Sequence, residues 1–153
     1  MEKKRNRLFI KVIAATLAVI LLTPGHAQAA VPETATPFAS AYLASYTAYI
    51  CAMGNGELQI WYEVLGTGTQ EYIGVLSIHL YESTDNENWY WVETFLHEDY
   101  DSMLVQNTFF NMDYVPYYEG VPGRYYKAYV GIWGGPDPGG DSRYIWTPVE
   151  RAT

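Results

Sequence analysis

The chain has 153 residues, the length of one ordinary domain, and a formal net charge of −8. This acidic excess disfavours nucleic acids and anionic membranes as partners, and it leaves neutral sugars, cationic peptides and divalent cations as candidates. An acidic surface that serves only solubility is the simpler alternative. The single cysteine, Cys51, excludes an internal disulfide bond, so the core must hold the fold without one.

Residues 1–29 have the three parts of a secretory signal peptide. Four basic residues lie between positions 3 and 7, an apolar run follows at 8–22, and a small-residue A-x-A site ends at Ala29. Lys11 shortens the uninterrupted apolar run to 12–22, well below the roughly 20 residues of a membrane-spanning helix. We therefore predict cleavage after Ala29 and a secreted, extracellular protein rather than one anchored in the membrane.

The predicted mature chain, residues 30–153, has sixteen acidic and four basic side chains, so its net charge is −12. Residues 30–40 are predicted to form a flexible lead-in and residues 41–151 a single β domain. In this domain aromatic and β-branched runs are interrupted by Gly, Asn, Asp and Pro. The seven predicted strands lie at 41–53, 57–65, 73–83, 89–95, 103–112, 124–133 and 143–149.

Alternation with a period of two assigns a core face and an outer face to the predicted strands. The core sets are Leu58, Ile60, Tyr62 and Val64; Leu76, Ile78 and Leu80; and Tyr126, Ala128, Val130 and Ile132. The rings of Trp61, Tyr129 and Trp133 are then predicted to point outward. Gly54-Asn55-Gly56 predicts a hairpin turn between the first two strands, because these residue types tolerate positive φ.

Seven short strands in one domain predict an all-β fold, a seven-stranded antiparallel sandwich of the immunoglobulin or fibronectin type III kind. A small open β-barrel is the alternative. Tyr126 fits a tyrosine corner at the approach to the sixth strand. One of Trp89 and Trp91 is expected to fill the core, so that its replacement by Ala would cost about 3–5 kcal/mol. Cys51 is expected to be a buried, unreactive thiol.

A set of short motifs extends over the predicted mature chain: Tyr42-Leu43-Ala44-Ser45-Tyr46, Gly54-Asn55-Gly56, Gly66-Thr67-Gly68-Thr69, Leu80-Tyr81-Glu82-Ser83-Thr84-Asp85 before Trp89, Gly123-Arg124-Tyr125-Tyr126-Lys127-Ala128-Tyr129-Val130, and Gly140-Asp141-Ser142-Arg143-Tyr144. The set resembles a family of small secreted proteins of Gram-positive bacteria that is catalogued only as a domain of unknown function. This resemblance implies no activity and no site residues. The piece from Glu82 to Trp89 also resembles a hairpin common in fibronectin type III-like and sugar-binding modules.

The sequence contains no established pattern for catalysis or for a cofactor. Three strand glutamates, Glu63, Glu82 and Glu93, would suit a glycoside hydrolase if two carboxyls lay roughly 5–10 Å apart, although outward-facing acids on a solvated sheet are the simpler interpretation. Two histidines, at 79 and 97, lack the spacing and companions of zinc ligands. Asp99 and Asp101 alternate as in some calcium loops, but the glycine and the terminal glutamate of such a loop are absent from the sequence.

Aromatic content is the unusual feature of the predicted mature chain, in which 24 of 124 residues are Phe, Trp or Tyr. Exposed rings stack on sugars or anchor a protein partner, although they also pair across strands simply to stabilise a sheet. We predict a non-catalytic extracellular binding module for a glycan or a protein. It would bind through Trp61, Tyr129 and Trp133 or through the loops at 97–101 and 134–142. A structural or assembly protein of the cell envelope and a small glycoside hydrolase are the alternatives.

Overall fold

The computed structural model describes residues 40–153, and the predicted signal peptide and nearly all of the predicted lead-in lie outside them. Every regular element of the described residues is a β-strand, so the all-β prediction is confirmed. The strands are β1 (Leu43–Gly54), β2 (Glu57–Ser83), β3 (Tyr90–Leu96), β4 (Leu104–Tyr117), β5 (Tyr125–Gly135), β6 (Asp141–Trp146) and β7 (Glu150–Arg151). Within residues 40–153, no helix is long and apolar enough to cross a membrane.

β2 is a single strand of 27 residues where the sequence predicted two strands. The sequence predicted a gap between residues 65 and 73, but the backbone continues through Gly66 and Gly68 with a register shift against β4 between Leu65 and Gln70. These residues therefore bend the strand without ending it. The last predicted strand, 143–149, overlaps β6, which ends earlier, at Trp146. The short strand β7 at Glu150–Arg151 was not predicted, and both β6 and β7 pair with β5.

The seven strands form one antiparallel sheet that is organised by β2. The first half of β2 lies between β1 and β4, and most of its second half lies between β5 and β3. β6 and β7 pair with β5. The sheet curls like half of a barrel. Because the two halves of β2 pair with different strands, all seven strands belong to one continuous sheet. The two separate sheets of the predicted sandwich are therefore not confirmed.

The predicted core faces of the first half of β2 and of β5 are confirmed. The buried residues of these faces are Leu58, Ile60, Tyr62, Val64, Tyr126, Ala128, Val130 and Ile132. Leu76 departs from its predicted core position and is half-buried. A register shift between Val75 and Ser77 changes the alternation at this point, and Val75 is buried in its place.

Tyr126 has the hydrogen bond expected of a tyrosine corner. Its ring is fully buried, and its Oη accepts a hydrogen bond from the backbone N–H of Val121 at 2.9 Å. The same hydroxyl donates to Glu82 Oε2 at 3.1 Å, and Arg124 donates to the other oxygen of that carboxylate at 2.5 Å. The corner therefore links the segment before β5 to the end of β2.

Neither Trp89 nor Trp91 fills the core, contrary to the prediction. Trp91 is 59% exposed, and Trp89 is half-buried with the ammonium group of Lys127 over its ring. β3 pairs only with β2, and its buried aromatic residue is Phe95. A large loss of stability on replacing either tryptophan with Ala is therefore no longer expected.

Cys51 is half-buried rather than buried, which corrects a second prediction. β1 alternates so that Ala48 and Ile50 belong to the core, whereas Cys51 lies on the other side of the strand and pairs with Gln59. The apolar neighbours that suggested burial point to the opposite face, because adjacent residues of a strand do so.

Burial of tyrosines predicts a loss of stability at alkaline pH. Desolvation raises the pKa values of Tyr62, Tyr117 and Tyr126 above the ordinary value of 10.0. The unfolded chain therefore releases these protons at a lower pH than the folded chain. Their contribution to stability is complete below about pH 10 and is lost as the pH rises above it.

We expect the free energy of unfolding, measured by denaturant titration at increasing pH, to fall above this value. Tyr62→Phe should make the fall less steep, whereas Tyr90→Phe, at a residue that is 66% exposed, should not. A free energy of unfolding that stays level above pH 10 would contradict this explanation.

Candidate functional site

The three rings predicted to bind a ligand lie in different settings. Trp61 is in the first half of β2, Tyr129 is in the middle of β5, and Trp133 is near the end of β5. Trp61 and Tyr129 share no ring partner among the described residues. The structure therefore does not bring the three rings together into one cluster.

Trp61 is the centre of a row of three rings across β1, β2 and β4. Its ring centroid lies 6.4 Å from that of Tyr49, with the planes 5° apart, and 4.7 Å from that of Tyr114. Its Nε1 donates a hydrogen bond to Gln59 Oε1 at 3.2 Å. The ring is thus held by neighbours on both sides, as in cross-strand pairs that stabilise a sheet.

Tyr129 is held in a comparable stack between β5 and β6. Its ring centroid lies 5.4 Å from that of Tyr144, with the planes 17° apart, and 4.8 Å from that of Trp146. Beside this stack, Lys127 Nζ lies 4.2 Å from the ring centroid of Trp89 and 4.7 Å from that of Trp146. Other side chains of the protein therefore pack against the faces of these rings.

Trp133 lines a cleft of about 440 Å³. The residues that line this cleft are Tyr72, Leu76, His97, Leu104, Trp133 and Asp137. His97 follows β3 and Asp137 follows β5, so both loops predicted from the sequence contribute to the same cleft as Trp133. The volume lies within the range of about 300–1,000 Å³ that is usual for sites of small ligands.

Two backbone features of β2 shape the cleft. The register shift after Val75 places Leu76 in its lining. Gly74 pairs with Trp133 and has a φ of +146°, a conformation that favours glycine. A Cβ at this position would lie 2.0 Å from the carbonyl oxygen of Met103. The segment before β4 therefore approaches β2 this closely only because residue 74 has no side chain.

Hydrogen bonds hold the 97–103 segment against the sheet. The backbone N–H of His97 donates to Leu76 O at 3.1 Å, and that of Val75 donates to Met103 O at 2.7 Å. The buried side chain of Asn111 donates from Nδ2 to two carbonyl groups of the segment, each at 3.0 Å. These hydrogen bonds therefore fix the position of His97 beside β2.

Hydrogen bonds and close packing hold the 134–142 loop in place. Gly140 N donates to Pro136 O at 2.8 Å, and Gly140 lies so close to Trp133 that a Cβ there would be 2.6 Å from the ring. The carboxylate of Asp141 accepts hydrogen bonds from the hydroxyl of Ser40 and from a backbone amide. The bond from Ser40 holds the pKa of Asp141 below its ordinary value. The loop that carries Asp137 is thereby anchored to the segment just before β1.

Negative charge dominates the cleft, because Asp137 belongs to its lining and no basic side chain of residues 40–153 does. Each of the four basic residues in this range has another partner. Arg124 binds Glu82, Lys127 lies over two tryptophan rings, Arg143 is 4.0 Å from Asp141, and Arg151 donates to Gly123 O. Beside the cleft, Glu98 Oε1 lies 3.4 Å from His97 Nε2.

The carboxylates proposed for metal binding and for catalysis lie outside this cleft. Asp99 and Asp101 are exposed in the loop between β3 and β4. Across the described part of the chain, no group of three His, Cys, Asp or Glu side chains is placed to hold a metal ion. None of the three strand glutamates, at 63, 82 and 93, lines the cleft, and Glu82 is bonded to Arg124.

Sequence reasoning missed three lining residues, Tyr72, Leu76 and Leu104. Tyr72 directly precedes the predicted strand 73–83, and Leu104 lies at the start of the predicted strand 103–112; neither residue had been assigned to a site. Leu76 was assigned to the core, because a strict period carries no signal for the bulge after Val75. Lys127 and Trp146 were also missed as ring partners, since only the pairing of β5 with β6 brings these strands together.

No family model matches the chain, and neither a curated protein nor a solved structure is significantly similar to it. The resemblance to small secreted proteins of Gram-positive bacteria therefore stays a prediction.

Proposed function

We propose that this protein is a secreted, non-catalytic binding module whose ligand site is the cleft at Trp133. The observation that carries the proposal is the meeting of Trp133, His97 and Asp137 in one cleft of about 440 Å³. An aromatic ring offers area to a sugar or an apolar side chain, while imidazole and carboxylate groups offer hydrogen bonds that orient it. The ligand would be a group of an extracellular glycan or protein.

Ring packing favours the cleft over the two aromatic stacks. The centroid of Trp61 lies 4.7 Å from that of Tyr114, and the centroid of Tyr129 lies 4.8 Å from that of Trp146. Each of these two rings therefore already has another ring of the protein in close contact. Trp133 differs because its ring belongs to the wall of an open space.

The hydrogen bonds around the cleft also support a binding role. The 97–103 segment is held by the backbone of β2 and by Asn111, and the loop of Asp137 is held through Gly140 and Asp141. A site whose walls are already ordered loses little conformational entropy when a ligand binds. The geometry therefore suits recognition by a preformed surface.

The five tryptophans provide the test, because each indole N–H gives its own NMR signal. The full chain would be expressed, and the purified protein titrated with neutral oligosaccharides, amino sugars, basic peptides and acidic peptides. We expect a binding member of this panel to shift the Trp133 signal. The signals of Trp61 and Trp91 should stay unchanged, because their indoles donate to Gln59 and Thr94 within the protein.

Two matched variants complete this experiment. Trp133→Ala should weaken binding by about tenfold or more, as for an aromatic residue at the centre of a contact, and Trp91→Ala should change it less than about twofold. Binding that shifts the signal of Trp61 or Trp146 and is normal in Trp133→Ala would place the ligand elsewhere and refute the proposal.

An assembly protein is the second candidate function, and one observation favours it. The face that carries Trp61 also exposes Met53 and Met112 by 53% and 54%, beside Tyr49 and Tyr114. Exposed methionine and aromatic side chains on one sheet face are typical of protein interfaces. If this function is the right one, the indole signal of Trp61 should shift and broaden as the concentration of the protein alone is raised.

A further inference from the structure

The chemistry of the cleft lining distinguishes between classes of ligand. The rings of Tyr72 and Trp133 and the side chains of Leu76 and Leu104 form an apolar wall, and Asp137 adds a carboxylate. No lysine or arginine of the described residues lines the cleft. The wall therefore suits an apolar body, and the carboxylate suits a positive charge attached to it.

The electrostatic field around the cleft has the same sign. The loop of His97 adds three further acids at 98, 99 and 101, and Glu71 directly precedes Tyr72. Residues 40–153 contain fifteen acidic and four basic side chains, a net charge of −11. Such a field raises the local concentration of cations and lowers that of anions.

The protein itself binds an ammonium group with tryptophan rings at another place on β5. Lys127 Nζ lies 4.2 Å from the ring centroid of Trp89 and 4.7 Å from that of Trp146. Attraction between an ammonium group and the negative face of an indole ring explains this arrangement. At the cleft, Trp133 offers an indole ring and Asp137 a carboxylate, but the chain supplies no ammonium group to them from its described residues.

From these observations we propose that the group bound in the cleft is an organic cation, an ammonium group carried on an apolar carbon body. This inference rests on the proposed function, and it specifies the ligand class of the same site. Trp133 and Tyr72 contact the cation and its carbon body, Asp137 balances the charge, and the two leucines cover the apolar part. A quaternary ammonium group and the primary ammonium group of a lysine share this chemistry.

Two pairs of probe ligands test whether binding needs a positive charge, since the two members of each pair differ in charge but have nearly the same shape. Choline is compared with 3,3-dimethylbutan-1-ol, in which carbon replaces the charged nitrogen. Nα-acetyl-lysine amide is compared with its Nε-acetylated form, which has lost the charge. Affinities come from the NMR shifts of the Trp133 indole. We expect the charged member of at least one pair to bind about tenfold more tightly than its neutral partner, and the pair that shows the larger ratio identifies the source of the ammonium group.

Charge variants distinguish the effect of the cleft carboxylate on binding from the effect of the protein's overall negative charge. Asp137→Asn keeps the shape of an exposed side chain, so it should leave the fold intact while it reduces the charged-to-neutral ratio by about fivefold. Glu87→Gln removes the same charge from an exposed residue that does not line the cleft, and it should change the ratio less than about twofold. Added salt should weaken choline binding and leave 3,3-dimethylbutan-1-ol unaffected.

Three results would overturn the inference: equal affinities within both pairs, a ratio that survives in Asp137→Asn, or no binding by any of the four probes. The first result, seen together with shifts of the Trp133 signal, leaves the cleft as a binding site and removes only the preference for a cation. Failure of the proposed function has a different signature, because a ligand of the broader panel would then bind normally to Trp133→Ala.

Discussion

Gly74→Ala should lower the free energy of unfolding by about 2–6 kcal/mol, measured by denaturant titration. A φ of +146° strains any residue with a Cβ, at a cost of about 1–3 kcal/mol. The new methyl group would also lie 2.0 Å from the carbonyl oxygen of Met103, and overpacking of this kind adds about 1–3 kcal/mol. That oxygen cannot move away freely, because it accepts hydrogen bonds from Val75 N and from Asn111.

Substitutions at two other glycines distinguish the cost of backbone strain from the cost of steric crowding. Gly54 has a φ of +97° and nothing within 4 Å of an added Cβ, so Gly54→Ala should show the strain alone. Gly68 has open space and no positive φ, so Gly68→Ala should stay within about 0.5 kcal/mol of the parent. If Gly74→Ala costs no more than Gly54→Ala, the close approach of Met103 to β2 is not as described. The approach also bears on the cleft, since Leu104, which follows Met103, belongs to the lining.

Tyr126→Ala should cost about 3–5 kcal/mol, because it removes a fully buried ring from the core. Tyr126→Phe keeps the ring and removes only the hydroxyl. It should cost about 1–2 kcal/mol, since the backbone N–H of Val121 loses its acceptor and Glu82 loses a donor. Both costs are read from denaturant titrations at neutral pH, where the phenol is protonated.

Tyr118 provides the matched control, because it is 69% exposed. Tyr118→Ala should change stability by less than about 0.5 kcal/mol. A double-mutant cycle with Glu82→Gln isolates the bond between the hydroxyl and the carboxylate. Equal stability of Tyr126→Phe and the parent would show that the corner acts through packing alone.

Local patterns in the sequence were sufficient for the all-β class, the hairpin turn and much of the core. Gly54, Asn55 and Gly56 all have positive φ, as their residue types predicted. The period of two placed the core residues of β5 correctly, from Tyr126 to Ile132. These predictions succeeded because turn conformation and strand alternation depend on neighbouring residues only.

Sequence patterns could not predict the features that depend on pairing between distant residues. The bulge after Val75 places Leu76 in the cleft. The two strands predicted at 57–65 and 73–83 form one strand, which has a register shift against β4 between Leu65 and Gln70. The prediction that one of Trp89 and Trp91 fills the core was wrong, because the sequence does not show that β3 pairs with β2 alone.

The same distinction applies to the candidate site. Composition and position singled out Trp133 and the loops at 97–101 and 134–142, but only the pairing of β2 with β5 brings them to one cleft. The sequence by itself determined the strand-and-turn class, the acidic charge and the aromatic content. The tertiary structure alone decided which rings stack on each other and which one lines an open space, because register between strands is a property of the whole sheet.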